Sequence, residues 1–158
     1  MANPTFLTSD LTSKIIKNTN KTEIAQITNS VSQSLTTTAA TAIVFGTISI
    51  PSNSPTLLVS TNSISALGEG LFKITYNVNI TSTVVGNYTI VVMAGAVPIF
   101  QRILAAAGAG TQNFCDSLIV KNIASQIYTI TATQPAGTST ILAGTPNVAS
   151  LTIEKINY

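Results

Sequence analysis

Histidine is absent from this sequence. With it goes the one side chain whose ordinary titration lies near neutral pH, and the usual activator of serine or cysteine nucleophiles. Tryptophan is absent too, and Cys115 is the single cysteine, which rules out an internal disulfide and leaves a zinc site without its usual ligands. Charge is the scarcest property: 8% of the 158 residues are charged, against about 25% in an ordinary soluble domain. The net charge of +2 comes from scattered residues, with no basic stripe to neutralise a phosphate backbone, so nucleic acid is excluded as a partner. Carboxylates after Ile24 are limited to Glu69, Asp116 and Glu154, far apart in the chain and with no Asp-x-Asp run for calcium. The expectation is a non-enzymatic protein with no catalytic residue, no cofactor and no metal.

Membrane signals are also missing. Met1-Ala2-Asn3-Pro4 has neither the basic start nor the apolar run of a secretory signal, so the mature protein is expected to begin there. The most apolar region, from Thr89 to Gly108, carries Pro98 and Gln101-Arg102 in its middle, which argues against membrane insertion. Glycine pairs at Gly68-x-Gly70 and Gly108-x-Gly110 lack the helix and lysine of a phosphate loop and are read as turns.

What the chain does contain is alternation. In Gly70 to Ile80, Phe72, Ile74, Tyr76, Val78 and Ile80 fall on one face of an extended strand, with Lys73, Thr75, Asn77 and Asn79 on the other. Similar runs predict strands near 41–50, 56–60, 70–82, 87–94, 97–106, 112–121, 126–133 and 147–156, with 139–143 as an extra, separated by Gly, Pro and Asn clusters. So many antiparallel strands fold into two layers, which predicts an all-β protein, an antiparallel jelly-roll β-sandwich over residues 41–158.

Residues 1–40 read differently. Five of the twelve charges lie here, Asn20-Lys21-Thr22-Glu23 has the spacing of a helix capping box, and Ile24, Ile27 and Val31 recur at three- and four-residue steps. This predicts a short helical or extended anchoring segment joined to the head by Thr36 to Ala40.

Several strands are apolar on both faces: Val44, Ile48 and Ile50 oppose Ile43 and Phe45, while Ile90 and Val92 oppose Val91 and Met93. A lone sandwich wets its outer faces, and serine and threonine, about a quarter of the chain, bring no charge repulsion to keep copies apart. A second copy of the chain is therefore the expected cover.

Three segments resemble the globular heads of the tumour necrosis factor and complement-head superfamily, in particular the compact bacterial and phage forms. These are the Gly70 to Tyr76 strand, the Asn87 to Gly95 strand with its small-residue turn, and the closing strand from Ala149 to Ile156. The resemblance implies a jelly-roll homotrimer. Phe45, Ile48, Val91, Met93 and Tyr128 are then expected at the trimer contact, and Ile15, Ile16, Ile24, Ile27 and Val31 are expected to dock the leader onto other virion or capsid proteins. The implied role is a structural virion part, a head decoration or fibre component on the capsid surface. The alternative is a head recognising a host-surface glycan or receptor, on a phage fibre tip or a bacterial spore or cell surface.

Overall fold

The alternation in the Gly70 region becomes one 13-residue strand, β7 (Gly70–Ser82), with Phe72, Ile74, Tyr76, Val78 and Ile80 fully buried. The structure is a computed structural model that describes residues 23–36, 38–50, 55–143 and 148–156. Among these residues there are strands and no helix. Strand β7 sits centrally in a seven-stranded antiparallel sheet, the first sheet, with β1 (Glu23–Asn29), β2 (Gln33–Leu35), β4 (Gly46–Ile50), β10 (Gly110–Asn122), β12 (Ser139–Ile141) and β13 (Ser150–Ile156). From one edge the order is β4, β1, β13, β7, β10; β12 pairs the far end of β7 and carries β2 outside it.

The second sheet has six strands. β5 (Leu57–Val59), β6 (Ile64–Ala66), β11 (Gln126–Thr133), β8 (Gly86–Ala94) and β9 (Val97–Ala106) lie in that order, and β3 (Thr41–Ala42) pairs the end of β11. Ile27, Tyr76, Phe114 and Leu151 from the first sheet share one buried core with Ile64, Tyr88, Val92 and Tyr128 from the second. This is the jelly-roll sandwich that the alternation predicts.

The run expected as one strand over 41–50 is broken. Thr41–Ala42 pairs with the second sheet and Gly46–Ile50 with the first, so the chain crosses between layers within three residues. Ile43 and Phe45 plug the core at the crossing, and Gly46, at φ 78, takes the left-handed backbone that starts the new strand. Gln33 holds the crossing on its outer side, donating to Ala42 O and accepting from Val44 N–H.

Residues from Glu23 to Leu35 depart most from expectation. Ile24, Ile27 and Val31 do not form a helical stripe; Glu23–Asn29 is a strand inside the first sheet, paired to β13 on one side and β4 on the other. Its inward positions are Ala25, Ile27 and Asn29, a period of two that small and polar residues conceal from any count of large apolar ones. The head therefore takes in residues 23–36. The rest of the leader, with Ile15 and Ile16, lies outside the described residues.

Candidate assembly surface

The two sheets present chemically different outer faces. On the first sheet, cross-strand register places Thr75 opposite Ser117 and Asn79 opposite Asn113. Asn113 Nδ2 donates to Asn77 Oδ1 and to Asn79 Oδ1, each at 2.8 Å, Thr75 and Ser117 hydroxyls lie 3.1 Å apart, and Gln26 Nε2 donates to Thr152 Oγ1. This face is a lattice of amides and hydroxyls already bonded to one another. Charge on it is sparse, with Glu154 the register partner of Lys73; Lys155 and Glu23, 3.8 Å apart, lie instead on the inward side at the end of the sheet, where the Glu23 carboxylate also accepts from the Thr56 hydroxyl.

The outer face of the second sheet is greasier. Leu58 and Ile127 flank Ser65 in register, and Met93, Val91 and Ile103 continue across the neighbouring strands with threonines between them. Leu58, Ile127 and Ile103 are each more than half exposed. At the open side of the sandwich two further apolar side chains are exposed, Val97 of β9 at 61% and, on the outer face of the first sheet, Ile119 of β10 at 64%. No such band is needed to fold one copy, since its inward partners already form a closed core.

The five residues expected at the trimer contact therefore divide. Ile48 is exposed at the β4 edge, and Val91 and Met93 are half-buried on the outer face of the second sheet. Phe45 and Tyr128, each 1% exposed, are corrections: both point into the core of their own chain and have no surface left for a neighbour. Ile27 is likewise fully buried, Ile24 is half-buried in its strand, and Val31 is exposed in the link after β1. Ile103 escaped notice because a single apolar residue between Gln101 and Ala105 does not look like part of a face until β8 and β9 are set in register, and Ile119 stands alone between Ser117 and Lys121 on the outer face of β10.

The groups most capable of chemistry are held apart. Asp116 lies on the inward side of β10 beside Tyr76, whereas Glu154 faces outward opposite Lys73 on the same sheet. Cys115 is exposed on the outer face of β10. Lys121 is also on that outer face, so it is no partner for Asp116; Arg102 is on the inward side of β9, and its charge and that of Asp116 both act on the Tyr76 hydroxyl. Among the described residues no group of three metal-ligating side chains occurs. No aromatic side chain is exposed among them either: Phe100 is half-buried and the others are buried.

No protein-family model matches the sequence, and no curated protein matches it. Solved structures do resemble it. Murine APRIL at pH 5.0 superimposes with a TM-score of 0.66 at 11% identity, covering 86% of this chain and all of that one. Eiger TNF from S. frugiperda gives 0.67 at 10% identity over 86% of this chain and 93% of its own. The vertex protein P5 of phage PRD1 gives 0.60 at 19% identity over 85% of this chain and 73% of its own. Together with the strand order, these likenesses establish that the chain has the jelly-roll head fold found in tumour necrosis factor-family proteins and in a phage vertex protein.

Proposed function

We propose that this protein is a structural component of a virion, a homotrimeric head on the capsid surface, with the residues before Glu23 attaching it to other capsid proteins. The observation that carries this reading is the uncovered apolar band of Leu58, Ile127 and Ile103 on the outer face of the second sheet, on a chain with almost no charge. Burying such a band favours assembly by about 25 cal/mol for each Å² removed from water. A stable contact covers roughly 800 Å² on each partner, which such a band could help to supply. The likeness to a phage vertex protein supports a virion setting over a cytokine one, because the leader and the low charge suit a part fixed in a larger shell.

A capsid decoration and a fibre component share this design and differ in what the leader meets. The glycan-binding alternative has less support: sugar-binding faces use exposed aromatic platforms, and the described surface offers none. Native mass spectrometry of the full chain tests the assembly. A single trimeric mass at micromolar concentration is the expected result, and a monodisperse monomer overturns the proposal.

A further inference from the structure

At the end of the sandwich where β10 finishes, a cavity of about 300 Å³ opens between the two sheets. Its walls are apolar: Val97 and Ile99 come from β9, Val120 from β10, and Ile123 from the turn that follows. Val97 and Ile123 are 61% and 78% exposed, so the mouth is greasy as well as the interior. That shape and lining suit a small organic molecule, near the lower end of the usual size range for ligand pockets.

Four polar residues line this cavity, Lys121, Asn122, Gln126 and Tyr128. Asn122, 4% exposed, lines it; Tyr128, another lining residue, donates its hydroxyl to Asn122 Oδ1, and Asn122 Nδ2 is a buried donor with no partner. An unpartnered buried donor costs about 1–3 kcal/mol, a penalty that an incoming acceptor would relieve. Lys121, exposed, also lines the cavity and brings its only cation. Glu69 lines an adjoining hollow that shares Lys121 and Asn122, but it does not line the cavity itself. The spare donor of Asn122 and the positive charge of Lys121 at the rim favour an acceptor over a cationic ligand.

We propose that this cavity is a binding site for a small molecule with an alkyl body and one carboxylate, the body against Val97, Ile99, Val120 and Ile123 and the carboxylate toward Asn122 and Lys121. The assignment is independent of the assembly proposed above. The probe is sodium octanoate, titrated into isotope-labelled full-length protein in its native oligomeric state and followed by backbone amide NMR, with octan-1-ol and octylammonium chloride as comparisons. The expected result is saturable shifts at Ala94, Val97 and Val120 to Ile123, with octanoate about tenfold tighter than octylammonium. Lys121→Glu is expected to weaken octanoate about tenfold and leave octan-1-ol unchanged. Ala94→Phe in the wall, or Val97→Trp at the exposed rim should the first disturb folding, is expected to abolish both.

Absence of saturable shifts at tens of millimolar overturns the site, as do shifts confined to another region or a rim left unresponsive because a second copy covers it. Equal binding of octanoate and octylammonium overturns the carboxylate assignment.

Discussion

Asn29 and Ala149 exchange two hydrogen bonds: the Asn29 backbone N–H donates to Ala149 O at 3.0 Å, and the Ala149 N–H donates to Asn29 Oδ1 at 2.7 Å. The Asn29 Nδ2 donates onward to Leu142 O at 2.6 Å, so one side chain, 3% exposed, pins both approaches to the 144–147 segment onto β1. Asn29→Ala strands a buried N–H and a carbonyl and is expected to cost about 2 kcal/mol, since each unsatisfied group carries roughly 1–3 kcal/mol. Asn29→Asp is expected to cost more, because it loses the donor and adds a buried charge. Urea melts of the two variants check the order.

Truncation separates leader from head. Removing residues 1–22 is expected to leave the circular dichroism spectrum and melting transition of the head unchanged while abolishing incorporation into particles. Extending the deletion through Asn29 takes Ala25 and Ile27 out of the core and unpairs both β13 and β4, and an unfolded or aggregated product is expected. A folded product from the longer deletion would show that β1 is dispensable.

Tyr76 predicts the alkaline limit of stability. Burial pushes its hydroxyl from 10.0 up to about 12, with Asp116 acting in the same direction and Arg102 against it. Between those values the unfolded chain has released the proton and the folded chain retains it, so stability is complete below pH 10 and falls as pH rises toward 12. The fall attributable to this group is about 2–3 kcal/mol, at 1.36 kcal/mol for each unit. Because the hydroxyl has no hydrogen-bond partner, Tyr76→Phe is expected to be neutral or slightly stabilising at pH 7 and to flatten the alkaline slope. Tyr128, also raised by burial, keeps part of the slope in that variant.

Gly86 opens β8 at φ 146, and a Cβ placed there would lie 2.6 Å from Pro135 Cβ. Gly95 also has positive φ, 60, but nothing stands within 4 Å of its missing side chain. Gly86→Ala is therefore expected to destabilise by about 2–4 kcal/mol, combining overpacking with backbone strain, and Gly95→Ala by about 1 kcal/mol from strain alone. Thermal melts of the pair separate the two causes.

For the assembly, Ile103→Lys combined with Ile127→Lys is expected to turn the trimer into a folded monomer, because both side chains are more than half exposed on the outer face of the second sheet and outside the core. Val85→Lys, at a residue 65% exposed between β7 and β8, is the matched control expected to leave the mass unchanged. An unchanged trimer in the double variant would move the contact to another surface.

Much of the head was legible in the sequence because a half-buried strand writes its burial as a period of two. Gly70–Ser82 was expected over the same residues, and Val97–Ala106 and Gln126–Thr133 likewise. β1 was not, since its inward residues include Ala25 and Asn29, while the outward Ile24 lent it a false helical spacing. β6 was missed as three residues of modest hydrophobicity, Ile64–Ala66. The candidate contact residues were half legible: alternation identifies two faces but does not say which one turns inward, so Phe45 and Tyr128 were placed outside when they fill the core.

By itself the sequence determined the class of the protein: an all-β sandwich, poor in charge and without histidine. Those properties are set by each residue and its near neighbours along the chain. Tertiary structure alone decided that β1 lies between β4 and β13, that the first sheet is coated in bonded amides while the second carries an apolar band, and that Asn122 borders a cavity with a donor to spare. Each depends on strands distant in sequence meeting in one register, and a single-residue slip would send every one of those side chains to the opposite face.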